Sequence, residues 1–212
     1  MKRVTLFCGH YGSGKTNIAV NYALWLRRQG KDVAIADIDV VNPYFRTKDS
    51  QQELEAAGVR VVALPFANTN VDLPALPAEV YALVQSRTQF AVFDVGGDDR
   101  GAYALGRYVP DILAENDFDM LYVANFYRPL TRTPEEALTV LREIEGACGI
   151  PCTGIINNSN LGEQTTAETV EATRAAANRL AELASLPVVM TTAEEHVGVP
   201  GAFTLRLQKK LV

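Results

Sequence analysis

Gly9-His10-Tyr11-Gly12-Ser13-Gly14-Lys15-Thr16 has the composition and spacing of a phosphate cradle. A glycine, four residues and then Gly-Lys-Thr is the Walker A pattern. Gly9, Gly12 and Gly14 let the backbone approach an anion where a side chain would stand in the way. Lys15 supplies a charge that bridges β- and γ-phosphates, and the Thr16 hydroxyl is an oxygen ligand for Mg²⁺. His10, Tyr11 and Ser13 complete the loop, and Asn17 follows it. The flanks suit the motif. Val4 to Cys8 is an apolar run that reads as a buried strand, and Asn17 to Arg28 reads as a helix. That order points the helix's unpaired N–H groups and positive dipole end at the phosphates.

Two further strand ends carry acids. Phe90 to Asp94 is apolar up to its last residue and runs into Gly96 and Gly97. Asp94 is placed to orient Mg²⁺, and the glycines would let the next loop close on a γ-phosphate. Val33 to Asp39 ends in Asp37 and Asp39, which alternation puts on one side with Ile38 on the other. One could hold a metal-bound water and the other orient the attacking water. The reading assigns Asp37 to the metal with Thr16 and Asp94, and Asp39 with Lys15 to catalysis. Asn157-Asn158-Ser159-Asn160 bears on the base. Guanine readers usually place a lysine and an aspartate here, where Asn158 and Asn160 stand. An amide is a poor acceptor for two donors, but it pairs with an adenine edge through one donor and one acceptor. This favours ATP over GTP.

These positions need strands and helices in alternation. The remaining runs supply them: helices at Gln51 to Ala57, Glu79 to Ser86, Ala102 to Tyr108, a Thr133-capped helix, and Thr166 to Ala184. Strands are expected at Val59 to Leu64, Met120 to Asn125, Thr153 to Ile156 and Leu186 to Met190. The segment Pro65 to Pro77 reads as loop, and Phe203 to Val212 as either strand or short helix. The expected class is α/β, a mostly parallel twisted sheet with helices on both faces, in one domain over residues 1–212. Ligands of such sheets sit beyond the carboxyl ends of the strands, where Asp37, Asp39, Asp94 and Asn157 fall.

A net charge of −5 argues against a broad nucleic-acid footprint. No apolar run is long enough to span a membrane, and Met-Lys-Arg leads straight into the first strand without room for a signal peptide. Three cysteines do not make a disulfide framework, so a cytoplasmic setting is expected.

Together, GHYGSGKT, DIDVVNP, FDVGGDD and the strand-end INN resemble the MinD/ParA-type P-loop ATPases of the SIMIBI class. That family includes nitrogenase iron-protein relatives and metal-centre maturation ATPases. The resemblance runs over nearly the whole chain. It implies ATP binding, slow Mg²⁺-dependent hydrolysis and a nucleotide-dependent homodimer that acts on a protein partner. It gives Lys15 and Thr16 the phosphate and Mg²⁺, Asp39 the switch carboxylate, Asp94 the Mg²⁺-side acid, and Asn157 or Asn158 the adenine. The chain departs from the pattern at His10, where the family has a lysine that reaches the partner subunit's nucleotide. Two alternatives stay open: a small-molecule kinase or ligase resembling dethiobiotin synthetase, with Tyr44 and Phe45 near an acceptor pocket, and a nucleotide sensor that scarcely hydrolyses. Cys148 and Cys152 read as buried hydrophobes before a metal pair. Arg100, Arg128 and Arg132 read as surface arginines before a finger toward the γ-phosphate.

Overall fold

A computed structural model describes residues 1–38, 50–63, 78–96 and 105–207. Eight strands are described: β1 (Val4–Cys8), β2 (Val33–Asp37), β3 (Arg60–Ala63), β4 (Phe90–Asp94), β5 (Phe118–Ala124), β6 (Gly154–Asn157), β7 (Val188–Glu194) and β8 (Phe203–Leu205). They form one sheet in the order β3-β2-β4-β1-β5-β6-β7-β8, and every pairing is parallel. Parallel pairing requires crossovers, and helices supply them: α1 (Lys15–Arg28), α2 (Gln51–Ala56), α3 (Ala78–Gln85), α4 (Val109–Glu115), α5 (Pro134–Cys148), α6 (Ala167–Ala172) and α7 (Arg174–Ala184).

The continuous apolar strands follow from burial on both faces. Alternate residues of one strand enter different cores. Leu6, Phe93 and Tyr122 belong to the layer that includes Leu141 of α5, whereas Phe7, Val92 and Leu121 pack with Ile18 and Leu26 of α1. β1 lies between β4 and β5. The chain therefore winds outward in two directions from β1, and the loop after it opens at the switch point.

Several local signals act as expected. Thr133 caps α5 through a reciprocal pair with Glu136, and Pro134 sits in the first turn. Arg3 is buried, which its charge alone would not forecast. Its guanidinium pairs with Glu115 at the end of α4 and donates to the carbonyls of Val84 (2.8 Å) and Gln89 (3.0 Å). It thereby ties the end of α3 to α4. Asn21 holds β8 against α1 by bonding both the N–H and the carbonyl of Arg206 at 2.9 Å.

Three expectations change. Of the expected Ala102 to Tyr108 helix, residues 105–108 are described: Leu105 and Gly106 are helical, Arg107 and Tyr108 form a turn, and a further helix, α4, follows with Pro110 in its first turn. The Thr166 to Ala184 pattern is two helices, broken at Thr173. There the Asn157 amide donates to Thr173 Oγ1 at 2.9 Å, and that hydroxyl donates to the Val170 carbonyl at 2.7 Å. A helical periodicity does not register such a side-chain competitor for the backbone. The last core strand is shifted beyond Pro187, running Val188–Glu194 instead of Leu186 to Met190. The Pro65 to Pro77 loop, Asp39, Tyr44, Phe45 and Arg100 lie outside the described residues.

Cys8, Cys148 and Cys152 are free and buried, with Cys8 Sγ 3.8 Å from Cys152 Sγ. Burial pushes the Cys148 thiol up to about 12, and the contact with Cys152 together with burial raises Cys8. Thiols kept protonated and covered react slowly. A colorimetric disulfide reagent should therefore find no fast thiol in the native protein and three in denaturant. A fast native thiol would contradict this packing. Asn157→Ala would leave the Ser159 hydroxyl and N–H without their acceptor and remove the amide bond to Thr173. It should lower stability by about 2 kcal/mol in urea unfolding; no change would mean that the amide is dispensable.

Candidate functional site

The loop after β1 is compressed against its neighbours. A Cβ on Gly9 would come within 2.5 Å of the Val123 carbonyl oxygen, and one on Gly14 within 2.3 Å of Asn158 Nδ2. Both glycines also have positive φ, at 149° and 92°. No other residue fits either position without displacing β5 or Asn158. The loop's carbonyls are tied back: that of His10 accepts from Ser13 N–H at 3.1 Å, and that of Ser13 accepts from the Asn158 amide at 2.6 Å.

α1 then starts on Lys15 with Gly14 as an N-cap that makes no side-chain cap bond, and its first turn holds no acid. Its leading N–H groups and dipole end are thus left for an anion. Lys15 and Thr16 are buried at 5% and 8% exposure, yet both line the cleft in front of the helix, as does Asn17. Ser13 Oγ is buried without a hydrogen-bond partner among the described residues. Tyr11 is exposed. His10 is half-buried, and burial, then the Lys15 charge, hold its imidazole below its ordinary 6.5 against a smaller pull from Glu143.

The acids converge as the alternating strands require. Asp37 and Asp94 are register partners on β2 and β4, and Asp94 is also paired with Phe7 of β1. Both are buried. The Asp94 backbone is fixed through its carbonyl, which accepts from Ile38 N–H at 3.0 Å, while Val95 N–H donates to the Phe7 carbonyl at 3.0 Å. Carboxylates one strand (Asp94) and two strands (Asp37) from the cradle, with a hydroxyl at the helix start, are a donor set suited to a hard, oxygen-preferring cation. Among the described residues no group of three or more His, Cys, Asp or Glu side chains gathers as a ready-made metal site. A Mg²⁺ here would therefore need phosphate oxygens and water as well.

The cleft continues from the loop to the ends of β6, β7 and β8, with a volume of about 190 Å³. Val170, Leu205 and Leu207 give it an apolar wall, and Asn160, Thr165 and Glu194 a polar one. A larger cavity of about 490 Å³ lies behind α1 among Leu24, Arg27 and Arg206. It touches none of the cradle, so volume alone does not select the site.

The strand-end asparagines are internally engaged. Asn157 accepts from Ser159 Oγ at 2.7 Å and donates to Thr173. Asn158 joins Ser13 to Thr192. Asn160 donates to the Asn158 carbonyl at 2.9 Å and accepts from Gly162 N–H. Sequence reading passed over Glu194, Val170 and Leu205, and treated Arg128 as a surface residue. Glu194 was findable as the acid that ends β7. Nothing in the spacing marks a residue of the β5–α5 loop such as Arg128.

Comparison with known proteins agrees with this geometry. The CobQ/CobB/MinD/ParA nucleotide binding domain matches residues 6–169. No curated protein sequence matches the chain. Among solved structures, the cell division protein FtsY of Thermotoga maritima shares 18% identity at a TM-score of 0.64, over 91% of this chain and 62% of that one. Chloroplast FtsY of Physcomitrella patens shares 19% at 0.59, over 93% and 59%. The signal recognition particle 54 kDa protein of Aeropyrum pernix, solved with GDP, shares 17% at 0.53, over 89% and 40%. The chain thus spans about three fifths or less of these proteins, and at such identities they show the P-loop NTPase fold. With the family match over most of its length, the chain belongs to the CobQ/CobB/MinD/ParA nucleotide-binding P-loop proteins.

Proposed function

We propose that the protein is a Mg²⁺-dependent ATPase switch of MinD/ParA type, acting on a protein partner or in the maturation of a metal centre. One observation carries the reading: Lys15 and Thr16 sit at an uncapped helix start behind a loop in which Gly9 and Gly14 leave no room for a side chain. A polyphosphate is the ligand that uses all of these donors together. Lys15 holds the β- and γ-phosphates. Thr16, Asp37 and Asp94 are the oxygen donors that would hold Mg²⁺. Bound Mg²⁺ would neutralise charge on the transferred phosphoryl group. Asp39, next to the buried Ile38, orients the attacking water. Tyr11, exposed at the mouth, covers the nucleotide or meets a partner. The three unpaired thiols fit a reducing cytoplasm. No helix among the described residues is long and apolar enough to cross a membrane.

Asn158 serves this reading by shaping the loop, since its amide is engaged by Ser13 and Thr192. Base choice then rests on the cleft's other walls. One observation favours a second reading, a GTP switch: Glu194 lines the cleft, and its recorded ion pair is a 3.5 Å contact with exposed His196. A carboxylate suits guanine's two adjacent N–H donors. Competition of ATP and GTP for one labelled nucleotide decides between the two.

Lys15→Ala should weaken Mg·ATP binding by about a hundredfold and abolish turnover, with little change in fold. Calorimetry and phosphate release read both, and unchanged binding would end the proposal. Light scattering with a non-hydrolysable analogue reports the homodimer. His10 should titrate below 6.5 by NMR without nucleotide, so that it is neutral at pH 7, and should move upward when phosphates bind. A ligand-free midpoint above 6.5 would contradict its burial beside Lys15.

A further inference from the structure

We infer that Arg128 is a second cation of the phosphate site, supplied by the chain's own β5–α5 loop. The inference rests on the nucleotide reading above and adds a binding residue to it. Arg128 lines the same cleft as Lys15 and Thr16, and its Nε lies 4.0 Å from where a Cβ on Gly12 would stand. A glycine at that point leaves the guanidinium and the cradle backbone face to face. The side chain is exposed, and among the described residues its guanidinium makes no ion pair or hydrogen bond. Arg3 and Arg87 are paired with Glu115, Arg142 with Glu145 and Arg174 with Glu171, and Arg128 is the arginine that lines this cleft among the described residues.

The loop that carries it is held in place. Phe126 N–H donates to Ser159 Oγ at 3.1 Å, and Arg128 N–H to the Asn125 carbonyl at 3.1 Å. Thr131 Oγ1 donates to the same carbonyl at 2.8 Å, and Tyr127 OH to the Thr169 carbonyl at 2.7 Å. The backbone is thus anchored to β6 and α6, while the guanidinium at the tip is left for a ligand. A forked donor beside a phosphate-sized cradle suits two oxygens of a polyphosphate chain. His10 strengthens the case. Burial and Lys15 keep it short of its proton, so the loop's own second residue brings little charge.

The test uses the full-length protein, Mg·ATP, and tripolyphosphate, which has no base or sugar. Both compete with a fluorescent nucleotide. Arg128→Ala should weaken each by about tenfold, and Arg128→Lys by less, since a point charge replaces the fork. Arg179→Ala, an equal charge loss on α7, should change neither. Wild-type affinity for both ligands in Arg128→Ala would overturn the inference. So would a loss confined to ATP, which would place the arginine on the base or sugar. If the wild type binds no Mg-nucleotide, the functional reading itself fails, and this inference with it. Thermal unfolding of ligand-free Arg128→Ala should match wild type, as befits an exposed side chain.

Discussion

The bond from the Asn158 amide to the Ser13 carbonyl is the contact on which the site depends. It gives one loop carbonyl a donor, so that this oxygen is not left bare to repel an anion. The same amide fills the space that a Gly14 side chain would need, so glycine and asparagine require each other. Through Thr192 it reaches β7, and through the Asn158 backbone, whose N–H donates to the Ala124 carbonyl at 2.9 Å, it reaches β5. The start of α1 is therefore gauged against three strands at once. A cradle set this way is ordered before ligand arrives, and little of the binding free energy goes into arranging it.

The all-parallel sheet makes that arrangement possible. Parallel strands all end on the same edge, so acids at β2 and β4, the cradle at β1 and the asparagine cluster at β6 are brought together without long-range design. Bringing Asp37 and Asp94 into register has an electrostatic cost, because two buried carboxylates on adjacent strands repel. A cation between the cradle and those acids offsets the repulsion, and Lys15 is the nearest covalently held one in the motif.

Much of this could be read in the residues. The cradle, the alternation of strands and helices, the acids at strand ends and the Thr133 cap all follow from patterns that act over a few residues. What escaped needed contacts across the fold. The break at Thr173 comes from Asn157, sixteen residues away. The burial of Arg3 depends on Glu115 and on carbonyls of α3. The asparagines read as base contacts in the sequence also bond to protein in the folded chain, where Asn158 and Asn160 line the cleft. Arg128 is one of three arginines that the sequence offers as a finger and that read first as surface residues; its place in the cleft beside Gly12 is what sets it apart.

Charge accounting around the triphosphate explains why a histidine can stand at the loop's second position. In the pattern this chain resembles, a lysine there serves the neighbouring subunit's nucleotide. An imidazole held below its ordinary pKa serves poorly in that role, being short and neutral at pH 7. An arginine always carries its charge and holds it in a planar fork. With Arg128 presented by its own chain, as inferred above, a bound polyphosphate would meet its second cation without a partner crossing over. Dimerisation would then be free to follow from the exposed apolar side chains of the two loops that carry Gly12 and Arg128, Tyr11 and Leu130, instead of from a shared phosphate contact. Nucleotide affinity and self-association become separable in such an arrangement. Losing the Arg128 charge would lower the first directly, and the second only as far as bound nucleotide drives it.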